Sequence, residues 1–153
     1  MNRRQFLGSG CAAGAALAMG PAWAGRAMFH SSGGVAIGGY DAVSYFSATG
    51  PRPGRRDIGL MWKGALWLFA TRGHRDLFES NPWPLAPRFG AYCALAMAQG
   101  RLTPGNPMSW QLAGGRLYLT ENQEARALWL ADAATNIVKA EAQWPGILYG
   151  EGS

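Results

Sequence analysis

The sequence predicts an α+β fold, in which a small antiparallel sheet of hairpins is packed with short helices and two further helices lie at the C-terminal end. Two apolar runs, 58–69 and 106–120, each carry a glycine-containing turn at the centre, which is typical of a β-hairpin. Two later segments, 121–132 and 135–144, repeat apolar residues at helical intervals. Because no internal repeat or long linker separates these elements, we expect one domain.

The first residues predict an export signal. Arg3 and Arg4 precede a weakly apolar run that ends in Ala22-Trp23-Ala24, as in a twin-arginine signal peptide spanning residues 1–24. The run is too short and too rich in glycine to cross a bilayer. We therefore expect a periplasmic protein, exported by the twin-arginine route, with no stable membrane anchor after cleavage.

The charged-residue and cysteine content of the sequence limits which partners and which cysteine chemistry are expected. The net charge is +5 and only 15% of the residues are charged, with no lysine-rich run, so a nucleic-acid partner is not expected. Beyond the signal, Cys93 is the only cysteine, and an internal disulfide is therefore impossible. A lone exported thiol is either buried and inert or exposed and used for metal or redox chemistry.

The elements follow in order after the signal. Small polar residues at 25–34 predict a flexible lead, the domain itself is expected at 35–149, and residues 150–153 form a tail. Within GYDAVSYF, at 39–46, a tight turn leads into a short helix or an extended piece, and Asp41 is placed to cap it. His74, Leu77 and Phe78 fall at helical spacing in a segment that ends at Asn81-Pro82.

The segment RFGAYCALAMAQG, at 88–100, is the chemical centre of the sequence. It has neither charge nor β-branched residues between Phe89 and Ala98, which predicts a short buried helix. On a helix, Cys93 and Met97 would share one face, so that two soft sulfur atoms point into the same space.

These segments together resemble the YHS-domain family, specifically its small exported bacterial members. The residues that carry the resemblance are GYDAVSYF at 39–46, WKGALWLFAT at 62–71, HRDLFESNP at 74–82, APRFGAYCALAMAQG at 86–100, GGRLYLT at 114–120 and AEAQWP at 140–145. The resemblance implies the fold of the family for nearly the whole exported chain. It assigns no role, because these exported members are mostly of unassigned function.

The shorter, metal-associated modules of the family imply where a metal would bind. In them the second hairpin arm ends in Phe-Cys-Ser, and a second cysteine follows four residues after the first. Here the matching positions hold Phe69, Ala70, Thr71 and His74, so the first sulfur ligand is absent and an imidazole replaces the second.

Two candidate sites follow. In the first, Cys93, Met97 and His74 bind copper or zinc, since thiolate, thioether and imidazole suit these metals. The competing interpretation makes Cys93 a small core residue. In the second site a pocket for a small ligand is lined by Tyr40, Asp41, Tyr45 and Tyr92, whereas a structural interpretation makes Asp41 a cap and Tyr40 a core aromatic residue.

The predicted function is that of an exported binding protein. No catalytic triad, phosphate-binding glycine loop or pair of acids placed for glycoside cleavage is present, so an enzyme is the less favoured interpretation. We expect an exported YHS-domain protein that binds copper or zinc or serves a periplasmic metal or redox system. Its partner would be a metal ion or a periplasmic protein. The alternative is a structural or partner-binding domain without metal or other cofactor.

Overall fold

A computed structural model describes residues 26–150 of the chain. The predicted signal peptide at 1–24 and residues 151–153 of the predicted tail lie outside the described residues. Within the described part, no helix combines the length and the apolar character that crossing a membrane requires.

The described chain contains strands and helices, and this confirms the α+β class. The strands are β1 Ser31–Ser32, β2 Val35–Ala36, β3 Arg55–Trp62, β4 Ala65–Phe69, β5 Asn106–Ala113 and β6 Arg116–Thr120. The α-helices are α1 Arg72–Ser80, α2 Ala94–Ala98, α3 Gln123–Ala131 and α4 Ala133–Gln143. Short 3-10 helices lie at Ile37–Gly39, Ala42–Phe46, Arg88–Ala91 and Gly146–Tyr149.

Both predicted hairpins are confirmed. β3 and β4 pair across Lys63-Gly64, where both residues have positive φ (50° and 78°), as a two-residue hairpin turn requires. β5 and β6 pair in the same way across Gly114-Gly115. The first sheet has the order β1-β2-β4-β3, and β2 runs parallel to β4. The larger sheet is therefore mixed rather than purely antiparallel, because the N-terminal segment returns alongside β4.

The segment predicted as a flexible lead is packed against the domain in the structure. The backbone N–H of Arg26 donates to the Leu148 carbonyl (2.9 Å), and that of His30 donates to the Gly90 carbonyl (2.7 Å). Phe29 is buried, with its ring 5.0 Å from that of Trp62. Among the small and polar residues of this segment are two large apolar ones, Met28 and Phe29, whose packing against the core fixes the segment in place.

The predicted helix between Phe89 and Ala98 is shorter than expected. Phe89, Gly90 and Ala91 all have positive φ (56°, 62° and 64°), and α2 begins only at Ala94. A side chain at Gly90 would collide with the Met28 carbonyl, so the close approach of the N-terminal segment sets the backbone here. Tertiary packing thus overrides the helix propensity of the sequence.

The core consists of two clusters. The first cluster lies between the larger sheet, the 42–46 helix and α1, and includes Tyr45, Trp67, Phe69 and Phe78. The second cluster surrounds α2 and includes residues of β6, α3 and α4, among them Cys93, Met97, Tyr118, Trp129 and Ala140. The predicted site residues are consequently divided between two packing environments.

Candidate functional site

The buried carboxylate of Asp41 is the centre of a polar network at the edge of the first cluster. Asp41 is 0% exposed and caps the 42–46 helix, as predicted. Its Oδ1 accepts hydrogen bonds from the backbone N–H groups of Val43 (2.9 Å) and Ser44 (3.3 Å). Its Oδ2 accepts one from the N–H of Ala70 (2.9 Å) and contacts Nδ1 of His74 at 2.6 Å. One side chain therefore joins the 42–46 helix, the end of β4 and the start of α1.

His74 is held at both its backbone and its ring. Thr71 caps α1, and its hydroxyl accepts the backbone N–H of His74 at 3.1 Å. Because Asp41 acts as an acceptor towards its other three donors, Nδ1 is assigned as the protonated nitrogen that donates to it. In the neutral tautomer with the proton on Nδ1, the lone pair lies on Nε2. The side chain of His74 is 30% exposed, so solutes can reach the imidazole.

A carboxylate behind an imidazole is the arrangement that orients histidine ligands in metal sites and histidine bases in enzymes. The carboxylate fixes the tautomer and the ring plane and increases the electron density on the free nitrogen. Arg72 and Arg75, which flank His74 in α1, add positive charge to this end of the domain. The arrangement can coordinate a metal ion or accept a proton. No nucleophile from the described residues is hydrogen-bonded to the ring.

Cys93 and Met97 lie in the second cluster, and both are 0% exposed. Cys93 caps α2, and its Sγ accepts the backbone N–H of Ala96 at 3.4 Å. Met97 is one helical turn away, with its N–H donating to the Cys93 carbonyl (2.9 Å). Cys93 precedes the first residue of α2 and Met97 lies within the helix, both in the second cluster, whereas the imidazole of His74 contacts Asp41 beside the first cluster.

The four residues predicted to line a ligand pocket separate in the same way. Tyr40 and Asp41 directly precede the 42–46 helix and Tyr45 lies within it, whereas Tyr92 packs in the second cluster. The hydroxyl of Tyr45 donates to the Pro107 carbonyl (2.8 Å), and that of Tyr92 donates to the Ala27 carbonyl (2.7 Å).

Burial raises the pKa of both hydroxyls, and nearby Tyr40 contributes to the increase at Tyr45. Two cavities in the described part of the chain are lined by other residues. Tyr45 and Tyr92 thus serve as buried hydrogen-bond donors to backbone carbonyls.

No group of three or more His, Cys, Asp or Glu side chains within residues 26–150 is placed to hold a metal ion. Within this part of the chain, His74 therefore offers one imidazole, oriented by Asp41, and not a cluster of three or more such ligands. Compared with protein-family models, with curated proteins and with solved structures, the chain gives no match.

The sequence indicates Asp41 and His74 as separate candidates, but it does not indicate the contact between them. The two residues are 33 positions apart, and neither lies in a spacing pattern that would indicate pairing. Asp41 was predicted as a cap, which is confirmed, but a cap uses only one of its oxygens. The second oxygen of a buried carboxylate also needs donors, and this requirement is the signal that could have led to His74.

Proposed function

We propose that the chain is an exported YHS-type binding protein in which His74, oriented by Asp41, takes up a soft or borderline metal ion, copper or zinc. The observation that carries the proposal is the 2.6 Å contact between Nδ1 of His74 and Oδ2 of Asp41. Because this contact engages Nδ1, the other ring nitrogen, Nε2, is the atom available to coordinate a metal ion.

The resemblance to metal-associated YHS modules supports the same location. The positions that hold the two cysteines of those modules correspond to Ala70 and His74. In this chain the backbone of Ala70 and the ring of His74 both bond to the same oxygen of Asp41. The proposal therefore places the ion beside the position where the resemblance implies a ligand, although only the imidazole is retained.

A single imidazole favours transient binding over permanent storage. A stable zinc or copper site has three or four protein ligands, and water or a second protein would have to supply those missing here. We therefore assign the protein an accessory role, in which the ion is exchanged with a periplasmic metal or redox system.

The test is a chelator competition with Cu(I) and with Zn(II) on the purified exported protein. His74→Gln is expected to weaken binding by at least about tenfold, and Asp41→Asn by about 10- to 100-fold, the usual effect of removing an outer-shell partner. His30→Gln is the matched control and should bind as the wild type does. A wild type that takes up neither ion, or equal uptake by His74→Gln, would overturn the proposal.

The burial of Cys93 favours a second candidate function, a structural or partner-binding domain without metal. The thiol is 0% exposed and acts as a helix cap, which suits a packing role. In that case a thiol reagent should label Cys93 only at the rate of global unfolding, and no metal should bind. Rapid labelling of the folded protein would exclude the packing role.

A further inference from the structure

A cavity of about 310 Å³ lies between β5 and α3, on residues that do not include Asp41 or His74. Its volume falls at the lower end of the range of small-molecule sites. Apolar and polar side chains are mixed in its lining, which consists of Met108, Trp110, Gln111, Leu112, Gln123 and Arg126.

The guanidinium of Arg126 is fixed in this cavity. Its Nε donates to the Trp110 carbonyl at 2.8 Å, and its Nη2 donates to Oε1 of Gln111 at 2.7 Å. A guanidinium has five N–H donors, so three remain for a ligand. Because two bonds already hold the group in place, little further side-chain entropy is lost when a ligand binds.

No carboxylate among residues 26–150 forms an ion pair with Arg126. Among residues 26–150, arginine–carboxylate pairs join Arg55 to Asp57 and Arg88 to Glu141, and none involves Arg126. Its partner Gln111 is a neutral amide. A half-buried, preorganised guanidinium without a counter-charge is complementary to a carboxylate, which it can bind through two parallel hydrogen bonds.

The cavity does not present a strand edge to an incoming peptide. Arg126 donates a hydrogen bond to the backbone carbonyl of Trp110, and Nε2 of Gln123 donates one to the carbonyl of Met108 at 2.9 Å. Addition of a strand along β5 would need these carbonyls. The lining therefore suits a compact molecule that presents its carboxylate to Arg126 and its apolar part to Met108 and Leu112.

We propose that this cavity is a binding site for a small aromatic or aliphatic carboxylate, with Arg126 as the anchor of the anion. The site is independent of His74, and its test does not depend on metal binding. Benzoate is a suitable probe, and benzamide, its neutral counterpart, is the matched control ligand. A probe of this size is expected to bind with a dissociation constant of about 1 mM.

The experiment is a titration of the ¹⁵N-labelled protein with each probe, followed by chemical shifts. Benzoate should shift the amides of Trp110, Gln111 and Gln123 saturably, and benzamide should not. Gln111→Glu is the decisive variant, because it retains a partner for Arg126 but adds an internal carboxylate that competes with the ligand. It should weaken benzoate binding at least about tenfold while the protein stays folded.

Gln99→Glu is the control variant. Gln99 also accepts a hydrogen bond from an arginine, Arg101 (2.6 Å), but outside this cavity, so benzoate binding should be unchanged. No saturable shift with benzoate would overturn the proposal. So would equal binding of benzamide, or equal binding of benzoate by Gln111→Glu.

Discussion

Oδ2 of Asp41 lies 2.6 Å from Nδ1 of His74, and the same oxygen accepts the N–H of Ala70. This contact connects the start of the domain to the first turn of α1 through one buried carboxylate. The contact has a structural consequence, because Asp41 holds three segments together through its hydrogen bonds. It also has a chemical consequence, because it orients the imidazole and leaves one ring nitrogen free.

Asp41→Asn should destabilise the protein substantially. The amide has one acceptor oxygen, and its NH₂ group would face N–H donors in a site with 0% exposure. We expect the free energy of unfolding to fall by about 2–4 kcal/mol, measured by urea denaturation. Asp57→Asn is the control, because the pair of Asp57 with Arg55 is exposed and should contribute little. Equal effects of the two substitutions would show that the Asp41 network is not structural.

His30 makes the stability sensitive to mild acid. Burial lowers the pKa of His30 from 6.5, so between the folded and unfolded pKa values the unfolded state binds more protons. Stability therefore falls as the pH drops below 6.5. His30→Gln should lose less stability than the wild type between pH 7.5 and pH 5, as followed by urea denaturation at each pH. Parallel pH profiles for the two proteins would contradict this assignment.

Tyr45 should produce the opposite dependence in alkali. Burial first, and the neighbouring Tyr40 second, raise the pKa of Tyr45 above its ordinary value of 10.0. Above pH 10 the unfolded chain releases this proton first, so stability falls as the pH rises.

Tyr45→Phe should cost about 1 kcal/mol at pH 8, because the bond to Pro107 is lost. This difference should shrink or reverse at pH 11. A constant difference in unfolding free energy between the two pH values would disprove the ionisation argument.

Gly90 fixes the path of the chain towards α2. With φ of +62°, a Cβ at Gly90 would collide with the Met28 carbonyl and lie 2.7 Å from the Trp144 ring. Gly114 has a similar φ of +57°, but a Cβ added there would meet nothing within 4 Å. Gly114→Ala should therefore show only the backbone strain, about 1–2 kcal/mol, whereas Gly90→Ala should cost clearly more. Thermal and urea unfolding of the two variants measure how much stability each substitution removes. Equal losses of unfolding free energy would refute the collision at Gly90.

The sequence predicted what local patterns determine. Turn glycines at Gly64 and Gly114 placed both hairpins, and the cap at Asp41 was recognised from its position before an apolar segment. Contacts between distant segments could not be predicted. The return of Phe29 to the core and the approach of Met28 to Gly90 depend on tertiary packing, and they shortened the helix expected at 89–98.

The candidate site shows the same division. The sequence indicates His74 as a candidate ligand, but only the fold shows its pairing with Asp41, which lies 33 positions away. The sequence does not distinguish Arg126, because an arginine in an amphipathic helix usually lies at a solvated surface. Its hydrogen bonds to Trp110 and Gln111 are what distinguish it.

Ala70→Cys should strengthen metal binding at His74. Because the Ala70 backbone and the His74 ring meet at Oδ2 of Asp41, a thiol at position 70 would add a sulfur ligand beside the imidazole. Two protein ligands bind Zn(II) more tightly than one, and we expect a gain of at least about tenfold in chelator competition. Ala113→Cys, half-buried at the end of β5, is the control for an added thiol. The gain should disappear when His74→Gln is combined with Ala70→Cys, and its persistence would place the ion elsewhere.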